Sequence, residues 1–205
     1  MVDKYRWQIF SFLLVMSIVV AILVLLDATN YVDNWFYNLI ISFQSPGLDR
    51  YFKYMTFWAD VTPMIVIGAL VVAWGIFMKK NIGFYLFGVL AVTAIVNQGL
   101  KFLFARPRPE GINLITKTGY SFPSGHTMAA VAFYGFLIYM IINSKINKAV
   151  KWILNIALVF LIINISISRI YLGVHYLSDI IAGVLISLCI LLIMSYVIKR
   201  KGVYR

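Results

Sequence analysis

A bundle of six membrane-spanning helices, with amphipathic helices in its first outer loop, is the all-α fold that this sequence predicts. Three observations predict it. Of 205 residues, 62% are hydrophobic and 12% charged, with a mean hydropathy of +0.91; a soluble domain runs at roughly 45–50% apolar and about 25% charged. Six stretches approach the ~20 apolar residues that a helix needs to cross the hydrocarbon. The basic residues gather in alternate connections, as expected of a chain that crosses repeatedly.

The first stretch, Trp7–Leu26, follows Lys4 and Arg6. Its apolar run is too long for a cleavable signal peptide, and no small-x-small site follows it. In the next segment, Asp27–Asp60, Trp35, Phe36, Leu39, Ile40 and Phe43 recur at helical spacing. Leu48, Tyr51, Phe52 and Met55 do the same, and Ser45-Pro46-Gly47 separates the two sets. Such aromatic, amphipathic pieces are expected to lie in the outer interface. Val61–Met78 and Ile82–Leu100 are spans two and three, joined by Lys79 and Lys80. Spans four and five, Thr127–Ile142 and Trp152–Ser168, are short and are expected to extend at their ends; Lys145, Lys148 and Lys151 lie between them. Span six, Tyr176–Ile198, is followed by Lys199, Arg200, Lys201 and Arg205.

The positive-inside rule then places both termini in the cytoplasm of a cell-membrane protein, with Lys101–His126 and Arg169–His175 outside. The excess of 18 Lys and Arg over 7 Asp and Glu reads as a topology signal and an attraction to anionic inner-leaflet lipid. It does not read as a nucleic-acid face, because the chain lacks the soluble surface for one. The single cysteine, Cys189, excludes an internal disulfide and a cysteine-built metal site, and within its apolar run it reads as an inert buried thiol. With no internal repeat or soluble appendage, residues 1–205 read as a single domain, and no protein partner is implied.

Ionisable groups at membrane depth are functional candidates by default. They collect at three places: Lys101 to Arg106-Pro107-Arg108-Pro109, then Pro123-Ser124-Gly125-His126, then Ser168-Arg169 through His175 to Asp179. Counting crossings puts all three on the outer side, and both histidines of the chain fall within them. Lys101, Arg108 and Arg169 supply the charge to hold a phosphate dianion and its transition state. The start of a helix at Ser124-Gly125 adds open backbone N–H groups, with glycine permitting close approach. His175 and Asp179 are four apart and share a face if span six begins near His175. Asp179 then holds one ring nitrogen as N–H and leaves the other free to attack, with His126 available as proton donor. No carboxylate cluster of the kind that Mg²⁺ or Ca²⁺ favours is present, so the site reads as metal-free phosphoryl transfer without a cofactor. Arg106 and Lys117 stay open between this site and snorkelling to the headgroups.

Lys101, six residues, Arg108-Pro109; Pro-Ser-Gly-His; then Ser-Arg, five residues, His, three residues, Asp: this pattern resembles the three-part signature of the type 2 phosphatidic acid phosphatase family. The resemblance implies that Lys101, Arg108, Ser124, Gly125 and Arg169 hold phosphate. It implies that His175 is the nucleophile and forms a phosphohistidine, that Asp179 orients it, and that His126 protonates the leaving oxygen. Soluble vanadium haloperoxidases share the signature without the spans. The expected activity is that of a metal-independent lipid phosphate phosphatase, with phosphatidylglycerol phosphate the first candidate substrate and undecaprenyl diphosphate the second. A transporter or proton relay built on His126, His175 and Asp179 would place its charges near the midplane and show two related halves; this sequence does neither.

Overall fold

The computed structural model describes residues 2–78, 80–116 and 118–202; Lys79, Lys117 and Arg205, which enter the charge pattern above, lie outside the described residues. Among the described residues the chain forms eight helices and no strand: α1 (Val2–Leu25), α2 (Asn30–Ile41), α3 (Pro46–Phe57), α4 (Val61–Phe77), α5 (Ile82–Phe104), α6 (Gly125–Asn143), α7 (Lys148–Tyr171) and α8 (Leu177–Arg200). Five of them, α1, α5, α6, α7 and α8, are long and apolar enough to cross a membrane, and a sixth crossing is reached when α3 and α4, bent by 44°, count as one. The second predicted span is the short one. At 17 residues, α4 is about 25 Å long at 1.5 Å per residue, less than the ~30 Å of hydrocarbon. Spans four and five extend beyond their apolar runs as expected, to Gly125–Asn143 and Lys148–Tyr171.

Helix α6 is the axis of the bundle. It packs against α5, α7 and α8, while α1 lies on α8 and α4 on α5. Met128, Ala130, Ala132, Phe133, Tyr134 and Phe136 of α6 are buried, together with Leu86 and Val89 of α5 and Ile165 of α7. The outer faces instead expose large apolar side chains such as Phe12, Leu70, Phe84, Phe87, Ile95 and Phe160, a belt that water would penalise and lipid accepts.

The ends of the bundle differ in chemistry. At one end Trp7 of α1 meets Tyr196 of α8, with ring centroids 5.4 Å apart. There Lys151 of α7 also donates to the carbonyls of Ile142, in the last turn of α6, and Ser144, just beyond it. At the other end Val24 of α1 packs with Phe104, Phe122 and Ala182; the candidate residues lie at this end.

Helices α2 and α3 lie in the segment that carries the aromatic periodicities. Ser45 caps α3, its Oγ accepting from Leu48 N, with Pro46 in the first turn. The inward face of α2 runs Asp33, Phe36, Tyr37, Ile40, Ile41, while Trp35, Leu39 and Phe43 of the predicted stripe point outward and are exposed. Between α3 and α4 the chain breaks at Trp58–Asp60, where Tyr134 of α6 donates its hydroxyl to the Trp58 carbonyl at 2.6 Å.

Candidate active site

Helix α7 ends in the short turn Leu172–Tyr176, and α8 begins at Leu177. His175 therefore precedes the helix instead of sharing its face with Asp179. The two still meet, because Asp179 in the first turn reaches back: its Oδ2 accepts from the backbone N–H of Tyr176 at 2.9 Å and lies 3.2 Å from His175 Nδ1. This carboxylate caps the helix and holds the ring with one oxygen. With Nδ1–H donated to Asp179, Nε2 carries the lone pair and receives Arg108 Nη1 at 3.3 Å. His175 is 2% exposed. Burial pushes its ring down to about 3, Asp179 opposing and the charges of Arg169 and Arg108 adding to the fall. The ring is thus neutral at physiological pH, the state a nitrogen nucleophile requires.

The segment between α5 and α6 is pinned by its own polar groups. Ala105, in the left-handed region at φ 44°, ends α5. Lys101 Nζ donates to the Tyr120 carbonyl. Ser121 Oγ donates to the carbonyls of Arg106 and Pro107. Arg108 donates to the carbonyls of Gly119, Thr118 and Val174 at 3.0, 3.2 and 2.8 Å, so its guanidinium is fixed against His175. Burial lowers its affinity for its proton, and Asp179 partly restores it.

Pro123-Ser124-Gly125 starts α6 as predicted, with Ser124 Oγ accepting from Thr127 N at 3.4 Å and Thr127 Oγ1 at 3.0 Å. The Ser124 N–H donates to the Asp179 carbonyl at 3.1 Å, which ties the start of α6 to the start of α8. Gly183 makes that approach possible, since a Cβ there would lie 3.3 Å from the Ser124 carbonyl. At Gly125 a Cβ would stand 3.1 Å from Asn97 Oδ1, and Asn97 itself donates to the Pro123 carbonyl at 3.1 Å.

The remaining two candidates meet the α3–α4 junction, His126 at Asp60 in the break and Arg169 at Thr56 in the last turn of α3. His126 Nε2 lies 3.1 Å from Asp60 Oδ1. Arg169, 1% exposed, donates from Nη1 to Thr56 Oγ1 at 2.5 Å. Its Nε finds no acceptor, and it makes no ion pair among the described residues.

All eight predicted residues thus lie at one end of the bundle. Arg108, His175 and Asp179 are in direct contact, and Ser124 joins them through its backbone. Sequence reasoning missed Thr56, Asp60, Asn97 and Asp33, and it left Arg106 open. Arg106 does not snorkel: it bridges Asp33 and Asp179 at 2.8 Å each. Burial works against its charge, but Asp179 and Asp33 more than offset that and hold its proton more tightly than usual. The one legible signal for Asp33 was an acid standing at helical spacing on the stripe Phe36, Tyr37, Ile40, Ile41.

The chain is thus a multi-pass helical bundle of the membrane-spanning class, with a buried His–Asp pair faced by fixed cations at one end. The chain belongs to the PAP2 superfamily, which it matches over residues 82–202. It is similar to phosphatidylglycerophosphatase B of Bacillus subtilis (strain 168), 32% identical over 124 residues that cover 58% of each chain. It is also similar to dihydrosphingosine 1-phosphate phosphatase C823.11 of Schizosaccharomyces pombe, 29% identical over 168 residues, 74% of this chain and 38% of that one. The chain thus spans under three fifths of the length of these curated relatives. In fold it resembles the crystal structure of a transmembrane PAP2-type phosphatidylglycerolphosphate phosphatase from Bacillus subtilis, with a TM-score of 0.83 over 96% of this chain and 97% of that one at 21% identity.

Proposed function

We propose that this protein is a lipid phosphate phosphatase, one six-span membrane domain with an extracytoplasmic site, that hydrolyses phosphatidylglycerol phosphate through a phosphohistidine. The observation that carries the reading is Arg169. A buried guanidinium with no ion pair and an orphaned N–H is costly, and a phosphate dianion would supply both the charge and the acceptor. Arg108, Lys101 and the N-terminal end of α6 would hold its remaining oxygens.

His175 Nε2 attacks phosphorus while the bond to the lipid oxygen breaks, and the proton on His126 passes to that oxygen. Asp179 remains a carboxylate and stabilises the charge that the ring acquires. In the second step His126 takes a proton from water, the hydroxide attacks phosphorus, and the P–N bond breaks to return neutral His175 and inorganic phosphate. The cations supply the electrostatic stabilisation that a metal provides elsewhere. The relatives named above act, by their names, on lipid phosphomonoesters, which supports the substrate class.

Phosphate release by the purified protein is the test, with phosphatidylglycerol phosphate, undecaprenyl diphosphate and dihydrosphingosine 1-phosphate compared in detergent. Release is expected to be fastest from the first, to survive EDTA, and to pass through an acid-labile, base-stable phosphoenzyme. Turnover by His175→Ala would overturn the mechanism, and faster release from either other lipid would overturn the substrate.

A further inference from the structure

We infer that Arg106 and Asp33 are positioning residues for the His175–Asp179 pair, Arg106 acting through Asp179 and Asp33 through Arg106; the inference rests on the phosphohistidine reading. Asp179 uses Oδ2 for both His175 and the Tyr176 N–H. Its other oxygen, Oδ1, accepts from Arg106 Nη1 at 2.8 Å. Without that second anchor the carboxylate is free to turn about its Cβ–Cγ bond and lower its hold on the ring. With it, both oxygens are fixed.

Arg106 is itself clamped from the far side. Nη1 donates to Ser178 Oγ at 2.7 Å, Nη2 donates to Asp33 Oδ2 at 2.8 Å and to Thr29 Oγ1 at 3.4 Å, and the guanidinium lies 4.4 Å from the centre of the Tyr176 ring. Both terminal nitrogens are therefore engaged by side chains, two of them carboxylates, whereas Arg108 is held mainly by backbone carbonyls. Asp33, 2% exposed, also accepts from Ser178 N at 2.9 Å and Ser178 Oγ at 2.6 Å. A residue of α2 thus caps the first turn of α8, the turn that carries Asp179.

The result is an ordered line, Arg108, His175, Asp179, Arg106, Asp33, in which two arginines two residues apart bracket the pair from opposite sides. Charge explains why Asp33 is needed. Lys101, Arg108 and Arg169 already face the pair from α5, the α5–α6 segment and α7, and Arg106 alone would neutralise Asp179. Asp33 balances Arg106, so Asp179 keeps a negative charge to offer the ring when Nε2 bonds to phosphorus. Arg suits this place better than Lys because its planar fork presents Nη1 and Nη2 to the two carboxylates in a fixed geometry.

The test is steady-state kinetics on phosphatidylglycerol phosphate with Arg106→Gln, Arg106→Lys, Asp33→Asn, Asp179→Asn, His175→Ala and the double variant Arg106→Gln/Asp179→Asn. Arg106→Gln is expected to lower kcat by about 10–100-fold, the range typical of outer hydrogen-bond partners. KM should move by less than about threefold, because no transition-state-independent binding is lost. Asp33→Asn should follow in the same direction. In the Asp179→Asn background the further loss from Arg106→Gln should shrink to about threefold or less, since residues that act as one unit are not additive. If Arg106→Gln does not fold, Arg106→Lys decides, with a smaller kcat loss that again needs Asp179. A rise in KM at constant kcat, or an undiminished loss without Asp179, would overturn the inference. Wild-type kcat in both Arg106 variants alongside an inactive His175→Ala would sink the inference alone, whereas an active His175→Ala would sink the reading beneath it.

Discussion

Arg169 sets function against stability within one side chain. It is 1% exposed, donates to Thr56 and has no carboxylate partner among the described residues. A cation so placed burdens the fold, and replacing buried charge with an apolar side chain of similar volume is often neutral or stabilising by about 1–4 kcal/mol. Arg169→Met is therefore expected to unfold at a temperature equal to or above that of the wild type while losing phosphatase activity. Thermal unfolding in detergent should show a second difference: inorganic phosphate raises the midpoint of the wild type and leaves that of Arg169→Met unmoved. A variant that loses stability and activity together would make Arg169 a structural residue instead. Arg169, Arg108, His175 and Asp179 were legible in the sequence because each stands in a short local motif whose charge is costly at membrane depth. Asp60 and Asp33 were not, because their partners His126 and Ser178 lie 66 and 145 residues away, and the helical spacing of Asp33 on the α2 stripe does not tell which residue it will meet.

Among the elements, the turn from α7 to α8 carries the strictest backbone demand. Gly173 sits at φ +82°, and a Cβ there would come within 2.5 Å of the Ile112 carbonyl and 2.6 Å of Asn113 Oδ1. Leu172, beside it, accepts from Leu114 N at 3.2 Å, so the turn and the α5–α6 segment cannot separate without loss. Gly119 has a similar φ of +76° but open space around it. Gly173→Ala should therefore cost both left-handed strain, about 1–2 kcal/mol, and a displaced segment at His175, whereas Gly119→Ala should carry the strain alone. Unfolding midpoints and activity, measured side by side, should rank Gly173→Ala well below Gly119→Ala; equal losses would mean that the clash is relieved elsewhere. Element positions followed from the sequence wherever an apolar run or a Pro-Ser-Gly start was present. Span six starts at Tyr176 in the sequence, close to the observed Leu177. The sequence leaves open whether His175 shares the first face of that helix, because a carboxylate reaching back to cap a helix has the same four-residue spacing as one sharing its face. Nor did it reveal the bend between α3 and α4, which Tyr134 and Asp60 stabilise through contacts with α6.

At the scale of the whole molecule, chemistry is sorted between the two ends of the bundle. Lys4, Lys80, Lys145, Lys148, Lys151, Lys199, Arg200 and Lys201 lie at or near the helix termini remote from His126 and His175. In the proposed topology, which rests on the positive-inside rule, that end faces the cytoplasm and the proposed site faces outward. A membrane-impermeant thiol reagent applied to intact cells should label a cysteine introduced at Asn113, in the α5–α6 segment, and spare one at Asn147, before α7. The reverse pattern would turn the site inward. Thr56 and Asp60, which hold Arg169 and His126, and Asp33, which holds Arg106 and Ser178, all precede residue 82, where the match to the superfamily begins. These three bracing side chains therefore lie on a different stretch of chain from the groups of the proposed reaction. A hybrid that kept residues 82–202 and borrowed its opening helices from another member would carry every reacting group. It would work only where the borrowed helices delivered two carboxylates and a hydroxyl to the same three places.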